Sequence, residues 1–138
     1  PIHWFSSATR MTRVNERCER AVELAGLTHR THTVAATISH GEQRQLEIAM
    51  TLATEPTVLL LDEPLAGMGQ AEAESMVALL QRLKKDHAMM LVEHDMDAVF
   101  SLADQLTVMV TGQVIASGTP GAVRADPLVQ AAYLGEEH

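Results

Sequence analysis

The chain has 138 residues, 46% hydrophobic and 20% charged, the composition of one globular domain with a core to bury rather than of a disordered segment. A net charge of −8, with lysine only at Lys84 and Lys85, excludes the basic stripe of a nucleic-acid surface. Cys18 is alone, so a disulfide framework is excluded and a reducing, cytoplasmic setting is expected; no apolar run reaches the length of a membrane span, and no signal-peptide pattern opens the chain.

Pro1 to Thr12 carries no period. Val14, Cys18, Ala21, Val22 and Ala25 then share one helical face over 13–25, with Gly26 as the C-cap. Ser39 is placed to N-cap a second helix over about 40–54, and Glu42 completes a capping box. Leu46, Ala49, Met50 and Ala53 continue its apolar stripe, and Pro56 ends it. "TVLLL", 57–61, is a continuous apolar run of strand length, which predicts a strand buried on both faces. Met76, Leu79, Leu80 and Leu83 predict a helix over 70–85, and "AMMLVE", 88–93, a second buried strand. Met96, Val99, Phe100 and Ala103 repeat the helical stripe. "QLTVMV" and "QVIASG", joined at Thr111-Gly112, predict a hairpin, and short helices follow Thr119 and Asp126.

Strand, helix, strand in this order is a βαβ unit with parallel strands. Asp62-Glu63-Pro64 ends its first strand and Glu93-His94-Asp95 its second. Both clusters therefore fall at the carboxyl ends of parallel strands, the edge where open α/β sheets bind ligands. Two carboxylates and an imidazole there, with a helix N-terminus carrying His40 and Gly41 elsewhere, suggest metal-assisted chemistry on a phosphate. Gly is an odd choice for a first turn, since it costs about 1 kcal/mol relative to Ala in a helix. Either that helix is simply capped, or its first turn is kept small so that an anion can approach.

Each piece alone has a plainer account. An isolated Asp-Glu-Pro is more often a strand-end turn, and Asp95 could serve only as an N-cap. "TISHG" is not a nucleophile elbow. His29-x-x-His32 has a metal-ligand spacing, but no Cys or further His completes a site. The methionines are spread as core filler. The joint occurrence is what resists a purely structural explanation.

"ISHGEQRQLEIAM", "VLLLDEP" and "LVEHDMDAVFSLAD" together resemble the ATP-binding subunit of an ABC transporter. "EPLAGMG", "VIASGTP" and the closing "AYLGEE" are similar, more narrowly, to the uptake ATPases for branched-chain amino acids and related amides or urea. The resemblance runs from about Asn15 to the end. It implies a partial P-loop NTPase fold, α/β, with a parallel βαβ core, a helical part bearing the signature, and a C-terminal hairpin with short helices. Residues 1–55 would belong to the helical subdomain and 56–138 to the ATPase core. Ser39, His40, Gly41 and Glu42 would occupy the signature motif, which faces the γ-phosphate of ATP held by the opposite subunit. His40 stands where the family most often has glycine. Asp62 would hold Mg²⁺, Glu63 would orient and deprotonate the attacking water, and His94 would contact the γ-phosphate and keep water and Glu63 in register. Ala66 to Gly69 fall on the D-loop, where Gly69 replaces the usual Asp. The implied partners are a second ATPase subunit and membrane permeases, on the inner face of the cell membrane.

One motif is missing. A P-loop needs Gly-x-x-x-x-Gly-Lys-Ser/Thr, and Lys84 and Lys85 are preceded by "QRL". The adenine-stacking segment and glutamine loop of the family are also missing. The expectation is a C-terminal portion of the ATPase, binding ATP weakly or not at all by itself and self-associating through a bare "MMLV" strand edge. Two classes of function follow, an importer's motor subunit or a non-catalytic interaction module. A third, a metal-dependent phosphohydrolase on Asp62, Glu63, His94 and Asp95, would need tight divalent binding from few carboxylates.

Overall fold

A computed structural model describes residues 12–134; the aperiodic opening up to Met11 and the end of the closing motif from Gly135 lie outside the described residues. The chain forms two compact units, one up to His94 and one from Asp95.

The first unit begins with α1 (Thr12–Leu24). It stops at Gly26, whose φ of 78° is the left-handed conformation that glycine adopts without a Cβ penalty. Leu27 N–H donates to Val22 O and Gly26 N–H to Glu23 O, both 2.9 Å, closing a Schellman motif over the buried Leu27. Of the stripe expected on α1, Ala21 and Ala25 are buried, while Val14 and Cys18 are exposed. Two single 3₁₀ turns, Thr28–Arg30 and Ala35–Thr37, lead to α2 (His40–Leu52). Gly41, Ile48, Ala49 and Leu52 form its buried side.

β1 (Val58–Asp62) and β2 (Ala88–Val92) pair in parallel, with Leu60 opposite Met90 and Asp62 opposite Val92. The crossover is α3 (Gln70–Leu83), whose buried face is the expected Met76, Leu79, Leu80 and Leu83. The strands are not buried on both faces. Leu59 is wholly buried, but Val58, Leu60, Met90 and Val92, which share the opposite face, are 52%, 74%, 63% and 51% exposed. One crossover helix covers one face of a strand pair, so the other side of this apolar run is bare among the described residues.

The second unit starts with α4 (Met96–Leu102), N-capped by Asp95, whose carboxylate accepts from Ala98 N–H at 3.0 Å. β3 (Leu106–Val110) and β4 (Gln113–Gly118) form the expected antiparallel hairpin. Thr111 and Gly112 have φ of 48° and 78°, the pair of positive values a type I′ turn requires. α5 (Pro120–Arg124) and α6 (Pro127–Val129) follow their caps Thr119 and Asp126, each with Pro in the first turn. Leu106, Val108, Val123 and Val129 form this unit's core, with Val99 and Phe100 packed against it. No helix among the described residues is long and apolar enough to cross a membrane.

Candidate functional site

The parallel pairing brings Asp62, Glu63, Glu93 and His94 to one carboxyl edge. Glu63 N–H donates to Val92 O at 2.8 Å, extending the ladder by one rung past Asp62. Glu63 itself has φ of 44°, a left-handed conformation that costs a β-carbon-bearing residue free energy. The kink turns the chain out of the sheet directly after Asp62. The Glu63 side chain is half exposed, and its Oε1 lies 3.7 Å from His94 Nδ1, an ion-pair approach longer than a hydrogen bond. The plain reading of Asp95 as an N-cap holds, so it belongs to the following helix rather than to this edge.

Glu93 links the parts of the edge. Its side chain is 1% exposed, and its two carboxylate oxygens accept from Leu65 N–H at 2.8 Å and His94 N–H at 3.1 Å. It therefore fixes the segment leaving Glu63 against the segment carrying His94. Nothing local in the sequence marks this role of Glu93, because its partner Leu65 lies 28 positions away.

The start of α2 forms a second cluster. Ser39 Oγ accepts from Glu42 N–H at 3.3 Å and Glu42 Oε2 accepts from Ser39 N–H at 3.0 Å, so the capping box is complete. Arg30 Nε donates to Glu42 Oε1 at 2.7 Å, and His29 Nε2 lies 3.2 Å from the same oxygen. The Arg30 hydrogen bond, then that of the Ser39 amide, and to a lesser degree His29, hold the Glu42 carboxyl down at about 2. The His29-x-x-His32 spacing is thus spent in part on the cap. The Ser39 hydroxyl and the Gly41 amide are among the donors that the capping box leaves for an anion at this helix start.

Both are occupied by a residue that the sequence did not single out. Glu72 Oε1 accepts from Ser39 Oγ at 2.8 Å and from Gly41 N–H at 3.3 Å. Those bonds, the Ser39 one foremost, lower the Glu72 pKa. His40 reaches the same neighbourhood, with Nε2 3.2 Å from Ala66 O, so that nitrogen carries the proton. The start of α2 is therefore tied twice to the 66–72 segment.

Chemically, the edge offers Asp62 as an exposed hard-oxygen ligand and Glu63 as a carboxylate base beside an imidazole. Among the described residues no three His, Cys, Asp or Glu side chains are grouped to hold an ion. A metal resting on one carboxylate needs its other ligands from water and phosphate oxygens, as Mg²⁺ does in phosphoryl-transfer sites.

A family model described as "ABC transporter" matches residues 4–66, and one described as "Branched-chain amino acid ATP-binding cassette transporter" matches residues 113–138. The chain belongs to the ABC transporter ATP-binding family. It is 41% identical over 117 residues to the high-affinity branched-chain amino acid transport ATP-binding protein BraF of Pseudomonas aeruginosa, covering 83% of this chain and 46% of that one. It is 37% identical over 123 residues to LivG of Escherichia coli, of the same description, covering 88% and 48%. Among solved structures it is similar to MJ1267, an ATP-binding cassette of an ABC transporter in its ADP conformation, with a TM-score of 0.81, 30% identity, and coverage of 98% of this chain and 54% of that one. The chain thus spans about half the length of the ABC relatives it matches. The α/β architecture with a parallel core and a C-terminal hairpin is that of a partial ABC ATPase.

Proposed function

We propose that the chain is the signature- and Walker B-bearing portion of the ATP-hydrolysing subunit of an importer for branched-chain amino acids. In this reading residues 1–55 contribute to the helical subdomain and residues 56–138 to the ATPase core. The observation that carries it is the approach of Glu63 to His94 at 3.7 Å on the shared edge of β1 and β2, directly after Asp62. Two transport ATP-binding relatives, BraF and LivG, support the substrate class. A second ATPase subunit and membrane permeases are the partners this reading requires, on the inner face of the cell membrane.

The residues fit the chemistry as follows. Asp62 would hold Mg²⁺, which when bound neutralises charge on the phosphates. Glu63 accepts the proton of the attacking water. His94 beside it orients both the carboxylate and the water. Ser39, His40, Gly41 and Glu42 would present the start of α2 to the γ-phosphate of ATP held by another subunit, with the helix dipole and the Ser39 and Gly41 donors favouring negative charge. Nothing in this sequence supplies Gly-x-x-x-x-Gly-Lys-Ser/Thr, so the phosphate cradle must come from elsewhere.

The test is Mg²⁺-ATP hydrolysis by the purified chain, alone and mixed with a P-loop-bearing segment of the family, each with Glu63→Gln as control. The expected result is no turnover above the control for the chain alone, the behaviour of a non-catalytic module, and Glu63-dependent turnover in the mixture. Turnover by the chain alone that Glu63→Gln abolishes would mean that these residues hold ATP unaided and would overturn the need for an outside cradle.

A further inference from the structure

We propose that Glu72 is a built-in occupant of the phosphate seat at the start of α2, a cis contact that keeps the signature closed until an incoming phosphate displaces it. This rests on the reading of Ser39 to Glu42 as a phosphate-facing motif. An anion arriving at that turn needs the Ser39 hydroxyl and the Gly41 amide, and Glu72 Oε1 already accepts from both, at 2.8 and 3.3 Å. The approach is close enough to restrict residue 41. A β-carbon there would lie 2.9 Å from Glu72 Cδ and Oε1 and 3.1 Å from Glu72 Cβ, so only glycine admits the carboxylate as placed. A carboxylate and a terminal phosphate carry the same sign and accept the same hydrogen bonds, so they cannot share these donors.

Glu72 also belongs to the first turn of α3, three residues after its N-cap Gly69, whose backbone bond is among the causes of its lowered pKa. When displaced from α2 it therefore keeps a local partner at its own helix start. The contact is reversible without leaving a carboxylate stranded. His40 holds the two segments together meanwhile through Ala66 O, and a β-carbon on Gly67 would lie 3.3 Å from the His40 ring. The D-loop, which ends three residues before Glu72, thus senses whether the signature of the same chain is engaged.

The experiment uses sulfate as a tetrahedral dianion, titrated into the isotopically labelled chain against chloride at matched ionic strength, with the Gly41 amide resonance as the readout. Glu72→Gln removes the charge and Glu72→Ala empties the seat. The expected result is sulfate affinity at Gly41 raised at least fivefold in the Ala variant and by a smaller factor in the Gln variant. A purely packing role for Glu72 predicts no gain. Equal affinity, within twofold, in wild type and both variants overturns the proposal. If one variant loses its dispersed spectrum, the other carries the comparison. In the wild type, saturating sulfate must also move the Glu72 carboxyl carbon together with the Gly41 amide, and a Gly41 shift without it overturns displacement. Ser39→Ala in the ATPase mixture tests the phosphate-facing reading separately, because it reads loss of turnover rather than anion affinity at Gly41.

Discussion

Glu93→Ala removes the one carboxylate that fastens the chain after Glu63 to the chain carrying His94. Two backbone donors lose their acceptor, Leu65 N–H at 2.8 Å and His94 N–H at 3.1 Å. Hydrogen bonds to charged groups contribute about 1.5–3 kcal/mol each, and a donor left unpaired in a buried place costs about 1–3 kcal/mol. Leu65 is 7% exposed, so its amide has little water to turn to and the larger share of the cost falls there. His94 is exposed, and water replaces most of its bond. The sum is a loss of about 2–4 kcal/mol. Glu93→Gln keeps the shape and one carbonyl acceptor, and aims an amide donor at a second N–H, so about 1–2 kcal/mol is expected. Urea unfolding followed by far-ultraviolet circular dichroism measures both values. A Glu93→Ala chain within 0.5 kcal/mol of wild type, on the scale of neutral surface changes, would refute the reasoning and show that the Leu65 segment finds another anchor.

The Glu42 carboxyl has a folded pKa of about 2 against an ordinary 4.5, so the unfolded chain binds this proton more tightly than the folded one. Its contribution to stability is complete above pH about 4.5 and drains away as pH falls toward about 2; carbon-13 titration of Glu42 must show the low value, and Arg30→Ala must raise it. The outer edge of β2 is unpaired among the described residues, and Ala88-Met89-Met90-Leu91-Val92 offers neither charge nor proline against edge pairing. The purified 138-residue chain is expected to self-associate in sedimentation velocity, with Met90→Lys weakening association roughly tenfold; a wild-type monomer at every concentration counts against it.

The legible parts of the fold were those written locally. Ser39 and Glu42 are three residues apart, and the capping box predicted from them is complete. Thr111-Gly112 marked the hairpin, and Thr119 and Asp126 the two short helices, because each turn or cap is set by a few neighbouring residues. The βαβ order by itself puts Asp62, Glu63 and His94 on one edge. The apolar run of β1 misled on burial, since a run records what both faces are made of and not what covers them; Leu59 is covered and Leu60 is not. Glu72 left no mark in the sequence. It sits in a first turn where an acidic residue is ordinary, and its partner Ser39 is 33 positions away.

Gly41 shows why a motif explanation can be incomplete even where it is apt. In a helix interior alanine has about 1 kcal/mol more helix propensity than glycine, but a β-carbon at this first-turn position would require the Glu72 side chain to shift. An approaching phosphate is one demand for a small residue, but it acts only when nucleotide is present. The carboxylate of Glu72, 2.9 Å from where the β-carbon would be, acts in the chain as it stands. The two demands call for the same residue because both are made by an anion seeking the same two donors. A first turn that must exchange one anion for another has to remain small in both states, and glycine is the residue that does so.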